Sequence, residues 1–235
     1  MKKSRPHEYG RLFASERRKY AGYGFVDGAV ENCRLREFGA ERVRFLGIQG
    51  SRARGEARDN SDIDAVVILD SFDVADAERY RSCVSGLQER EKLCGFVSGE
   101  AELSAWPRSE LFQFCLDTEP VLGTLEPYAA SVTGRDVLES ARVGLGAVYH
   151  ASVHNLIHER SEDMLTELCK AAFFALRAVH RVEMGETLRT RAELIKAHPE
   201  DADIVSGGLA GTFAERSARL IRRSSELLRR LAACG

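Results

Sequence analysis

One segment, Gly50 to Leu69, restricts the fold of this chain more than any other. Its last five residues, Ala65-Val66-Val67-Ile68-Leu69, are apolar without alternation, the pattern of a strand covered on both faces. Asp70-Ser71 ends that strand. Asp62 and Asp64 stand at its start, two positions apart, so on a strand both carboxylates leave the same face. Upstream, Arg42 to Gln49 carries the β-formers Val43, Phe45 and Ile48 and is punctuated by Gly47 and Gly50, which reads as an earlier strand. Gly50 allows a turn whose backbone approaches a ligand closely, and Ser51 is a hydroxyl-bearing start for a short helical turn.

This order of elements has a chemistry. The free N–H groups of the Gly50-Ser51 turn form a cradle for phosphate, with Arg52 and Arg54 adding positive charge beside it. Two like charges on one strand face are costly unless a cation neutralises them. Mg²⁺ fits: it is a hard ion, held by one or two carboxylates together with substrate phosphates. A phosphate cradle next to a carboxylate pair therefore describes a site for a metal–nucleoside triphosphate. Two ions there would serve both the attacking and the departing oxygen. An Asp-x-Asp alone is common on solvated strand edges; the Gly-Ser turn and the apolar run that flank this one carry the inference.

Gly-Ser, ten intervening residues and Asp-x-Asp resembles the signature of the DNA polymerase β-like nucleotidyltransferase superfamily. The stretch Gly50–Leu69 is similar to its minimal and aminoglycoside (kanamycin-type) members, and the resemblance spans roughly residues 40–125. It implies a small mixed sheet with flanking helices, Mg²⁺ as cofactor, two ions, and transfer of a nucleoside monophosphate from a triphosphate, with ATP expected, to a hydroxyl. It also implies a third carboxylate on a later strand. Glu102 is the match in Ala101-Glu102-Leu103, with Glu100 as competitor, and its role as metal ligand or proton acceptor stays open. The implied set is thus Asp62, Asp64 and Glu102 for catalysis and metal, with Gly50, Ser51, Arg54 and Lys170 for the nucleotide. The acceptor is expected to be a small molecule, with aminoglycosides among the candidates. Two other readings stand beside it: an antitoxin-like enzyme that nucleotidylates a protein, and a nucleotide-binding regulator without catalysis.

Composition removes several classes. With 44% hydrophobic and 30% charged residues the chain can bury a core. A net charge of -2 does not suit a protein that wraps long nucleic acid. The N-terminus alternates charges with no apolar stretch behind it, so no secretory signal is expected, and no window is long and apolar enough for a membrane span. Six scattered cysteines without a C-x-x-C pair read as reduced thiols of a cytoplasmic protein, with Cys94, Cys115 and Cys169 as small core residues.

Two textures divide the chain. Residues 1–130 read as the α/β catalytic domain, opened by a helical stretch from about Tyr9 to Phe38; a further helix over 74–91, a third strand between Leu93 and Trp106, and a helix opening at Pro107 complete it. Residues 135–235 read as an all-α bundle of four or five helices that contributes to nucleotide or acceptor binding. Its signals are the helical stripe Leu165, Leu168, Cys169, Ala172, Phe173, Leu176 and Val179, and a second through Leu220, Leu227, Leu228 and Leu231. Lys170 lies inside the first stripe; in related two-domain enzymes a lysine of a C-terminal helix neutralises the triphosphate. His150, His154 and His158 are four apart and read first as a polar helix face, while Arg222, Arg223, Arg229 and Arg230 read as a solvated basic face. Homodimerisation is left open.

Overall fold

The structure, a computed structural model, describes residues 38, 39, 41–87 and 89–233. The helix expected from Tyr9 lies outside these residues but for Phe38, whose backbone bends. The described residues group into two units. One takes the chain up to Trp106 and then Asp117–Pro127, the other Pro107–Leu116 and Tyr128 onward.

The first unit is built on four strands: β1 (Val43–Gln49), β2 (Ile63–Leu69), β3 (Leu93–Gly99) and β4 (Thr118–Leu122). Their order across the sheet is β3-β2-β1-β4. β1 is antiparallel to both β2 and β4, and β2 is parallel to β3, so the sheet is mixed. The apolar run of β2 is buried from Ala65 to Leu69, as expected of a strand with neighbours on both edges and cover on both faces. β4 was not foreseen. It is five residues long and contains Pro120, a residue confined to edge strands because it has no N–H to donate. The edge position of β4 accommodates it.

Short helices join the strands: α1 (Gly50–Ala53), α2 (Val74–Val84) and α3 (Glu100–Ser104). Helix α2 ends earlier than 91 because Ser85-Gly86 breaks it. Asp73 and Asp76 form a reciprocal capping box at its start. Arg42 ties that start to the end of β2. Its guanidinium donates to both Asp76 oxygens at 2.8 and 2.9 Å, to Asp70 Oδ1 at 3.2 Å and to the Ser71 carbonyl at 2.9 Å.

The second unit is helical: α4 (Arg108–Asp117, less its last residue), α5 (Glu126–Ala129, in part), α6 (Gly134–His154), α7 (Glu162–Met184), α8 (Arg191–Ala197), α9 (Ala202–Ser206) and α10 (Phe213–Ala232). Helix α7 is its centre, and every residue of the predicted stripe from Leu165 to Val179 is buried. Buried Arg177 donates to the Arg189 carbonyl at 3.1 Å and to Gln113 Oε1 at 3.0 Å, and lies over the rings of Phe173 and Phe174. The basic stretch of α10 divides. Arg222, Arg229 and Arg230 are exposed, but Arg223 shares the face of Leu220 and Leu227 and is buried, with Asp201 accepting from its Nε and Nη2 at 2.6 to 3.0 Å. Two cysteine expectations are corrected as well. Cys83 is disulfide-bonded, and Cys94, on the edge strand β3, is exposed, whereas Cys169 is buried as read.

Candidate active site

The Gly50–Ala53 turn follows β1 without a break, with Gln49 as its extended N-cap. Gly50 has φ +74°, the left-handed region that glycine enters at no steric cost. Its missing side chain matters for a second reason. A Cβ there would overlap Asp64 Oδ2 and lie 3.3 Å from the Asp64 carboxyl carbon. The turn and the second carboxylate of the pair are therefore in direct contact, which requires glycine at position 50.

Three side chains, one within the turn and one on each side of it, anchor it. Gln49 Nε2 donates to Thr118 Oγ1 at 3.0 Å. Arg52 donates to the carbonyls of Asp62 and Ser61 at 3.0 and 2.9 Å and so pins the backbone that delivers Asp62. Arg54 donates to Glu56 Oε2 at 2.9 Å and to Asp117 Oδ2, and both it and Asp117 are buried. The guanidinium expected to meet a nucleotide is thus held between two carboxylates of the chain.

Asp62 is exposed, just ahead of β2; Asp64 is half-buried within it. Burial, then the negative charges of Asp62 and Asp117, push the Asp64 carboxyl above its ordinary value, while Arg54 and Arg52 pull it back. A group in such a field gains from a nearby cation. Asp117 is the residue that sequence reading missed. Its place follows from register: Gln49 of β1 pairs with Asp64 on one side and Thr118 on the other, which lines up the three positions across the sheet. Nothing local marks Asp117, because its nearness to Asp64 depends on the pairing of β1 with β4.

The structure does not bring Glu102 to this pair. β3 ends at Gly99, so Glu100 and Glu102 fall in the first turn of α3 rather than on a strand. The parallel register pairs Ile63 with Leu93 and Leu69 with Gly99. Asp64 is therefore near the start of its strand and Glu102 beyond the end of the neighbouring one, roughly 15–20 Å apart at about 3.3 Å per residue. Glu100 pairs instead with Arg44 at 3.4 Å. Opposite Asp64, β3 presents Cys94, and no residue of β3 carries a carboxylate.

The remaining sequence signals lie in the helical unit. Lys170 is exposed on α7 and pairs with Glu167 at 2.6 Å. His150 and His154 are exposed on α6, and His158 follows in a π-helical turn, its ring 4.9 Å from that of His154. Among the described residues, His198, Glu200 and Asp201 form a group whose ligand-type atoms gather within 4.8 Å. Asp201 there is already neutralised by Arg223 and Arg219. No helix among the described residues is long and apolar enough to cross a membrane.

A mixed sheet that delivers a carboxylate pair against a glycine turn defines a class, the nucleotidyltransferases. Comparison agrees: residues 32–105 match the family model described as nucleotidyltransferase domain. Among solved structures it is similar to spectinomycin adenyltransferase AAD(9) from Enterococcus faecialis with ATP and spectinomycin. That likeness has TM-score 0.55 and 13% identity, over 89% of this chain and 99% of that one. A nucleotidyltransferase-like protein from Exiguobacterium sibiricum 255-15 matches with TM-score 0.34 and 10% identity, over 86% of this chain and 74% of that one. A toxin–antitoxin structure with AMP-PNP matches with TM-score 0.34 and 17% identity, over 53% of this chain and 92% of that one. No curated protein matches the chain in sequence.

Proposed function

We propose that this nucleotidyltransferase moves a nucleoside monophosphate from a triphosphate, ATP in the first instance, to a hydroxyl of a small molecule, with Mg²⁺ held by Asp62 and Asp64. The observation that carries the reading is the contact between the Gly50 turn and the Asp64 carboxylate. It supports the reading because N–H groups suited to phosphate would stand beside oxygens suited to a metal ion. The donor set suits the ion: two carboxylates, one of them in a field that disfavours its own charge. Bound Mg²⁺ supplies electrophilic stabilisation of charge on the phosphoryl oxygens.

The chain's own residues do the rest. The N–H groups of Gly50 and Ser51 orient the phosphates. Arg52 holds the backbone ahead of β2 so that Asp62 and Asp64 reach the same point. Fixing the triphosphate in this way aligns its α-phosphorus for in-line attack by the acceptor hydroxyl, and pyrophosphate departs. An acceptor of the aminoglycoside type is supported by the ATP and spectinomycin bound to the adenyltransferase of similar fold. Glu102 is left out, on the register given above.

The test is incubation of the purified protein with Mg²⁺, each labelled nucleoside triphosphate and a panel of hydroxyl-bearing acceptors that includes aminoglycosides, reading pyrophosphate and labelled product. A labelled small molecule is expected. A labelled protein band from added lysate, with no small-molecule product, would replace the small-molecule acceptor by a protein one. Triphosphate binding without turnover on any acceptor would count against the reading.

A further inference from the structure

We infer that Asp117 is a positioning residue of the candidate site: together with Thr118 it clamps the Gly50–Ala53 turn from both ends, a role that rests on the nucleotidyl-transfer reading above. The turn has one tether before it and one after it, and both end on the same dipeptide. Gln49, the residue before the turn, donates to Thr118 Oγ1 at 3.0 Å. Arg54, the residue after it, donates to Asp117 Oδ2. Arg54 also closes the turn through its own backbone, its N–H donating to the Gly50 carbonyl at 3.2 Å. Moving the Arg54 guanidinium therefore moves the backbone that contacts Asp64.

The pair is buried, with side-chain exposures of 6% for Arg54 and 8% for Asp117. Removing one partner of such a buried pair is costly, so the geometry is strongly enforced. Glu56 Oε2 takes the Arg54 Nε at 2.9 Å, and the Glu56 N–H donates to the Ser51 carbonyl at 2.8 Å, so this second carboxylate is itself part of the turn. Asp117 differs in coming from the far edge of the sheet. It gives the turn a fixed point just ahead of β4, independent of β2 and its carboxylates. Outer partners of this kind, which orient groups that touch a ligand, typically change affinity by about 10–100-fold when removed.

The alternative role for Asp117 is that of a third metal ligand, and a double-mutant cycle separates the two. The variants are Asp117→Asn, Arg54→Gln and their combination. The readouts are binding of the non-transferable α,β-methylene analogue of ATP by calorimetry, the Mg²⁺ concentration that half-saturates that binding, and melting temperature. A positioning role predicts that Asp117→Asn weakens analogue binding about tenfold, leaves the half-saturating Mg²⁺ unchanged, and adds nothing in the double variant beyond the worse single one. Asp117→Glu should restore part of the loss. A shift in half-saturating Mg²⁺ with multiplicative losses would make Asp117 a metal ligand and overturn the inference, as would wild-type binding by Asp117→Asn. Should Asp117→Asn fail to fold, Thr118→Val removes the Gln49 tether and is expected to weaken binding severalfold; unchanged binding there overturns the clamp. A wild-type protein that does not bind the analogue at all would remove the nucleotidyl-transfer reading itself, a result distinct from any of these.

Discussion

Gly50→Ala offers the sharpest test of the site, because the chain contains its own control. Gly50 and Gly55 flank the same turn and have nearly the same backbone, φ +74° and +71°. A Cβ at Gly55 meets nothing within 4 Å, whereas one at Gly50 overlaps Asp64 Oδ2. Both substitutions therefore carry the left-handed penalty of an L side chain, roughly 1–2 kcal/mol. Only Gly50→Ala must also displace the carboxylate. Restoring ordinary van der Waals separation requires a shift on the order of 1 Å. A misplacement of that size at a reacting centre costs about 100-fold in rate. The expected result is similar melting temperatures for the two variants, with kcat/KM for pyrophosphate release near wild type in Gly55→Ala and about 100-fold lower in Gly50→Ala. Equal activities in the two variants would refute the idea that the turn contacts a functional carboxylate.

Other outcomes follow from the same geometry. The double variant Asp62→Asn/Asp64→Asn should lose transfer by about 10³-fold or more, on the scale of several kcal/mol of metal stabilisation; retained turnover would sink the metal assignment. Because the folded state disfavours the charged Asp64 carboxyl, Asp64→Asn is expected to melt at or above the wild-type temperature at pH 7, and a clear drop would speak against a repulsive field there. Arg42→Met leaves the buried Asp76 charge with only the longer Arg79 pair at 3.5 Å and should cost about 3 kcal/mol in urea unfolding. Arg42 holds the Asp76 carboxyl below its ordinary range, and the Ser71 N–H followed by Arg42 does the same for Asp70, so this stabilisation is full above about pH 4 and disappears as pH falls through the folded values. The variant should therefore lose much of the wild-type acid dependence, and an unchanged profile would contradict the assignment. His180, buried beside His198, is pushed down by burial and then by that neighbour. Its native state resists protonation, so stability should fall as pH drops below about 6.5, and His180→Gln should flatten that part of the curve.

What the sequence determined by itself is local or periodic. The strand at Ala65–Leu69, the Gly50-Ser51 turn and the buried stripe of α7 all follow from spacing within a few residues, where strand and helix periods leave few options. The same rules misjudged Arg223, since a run of arginines hides which one falls in line with Leu220 and Leu227. The tertiary structure decided which distant carboxylate joins the pair. Glu102 looked eligible because it alternates with apolar neighbours, but β3 stops at Gly99 and its parallel register carries Glu102 past the opposite end of the strands. Asp117 had no local mark, and it reaches the Gly50 turn because β4, short and interrupted by Pro120, pairs with β1 from the free side. Strand order and register are long-range choices made by the whole sheet, and a charge placed by them cannot be read from its neighbours in sequence.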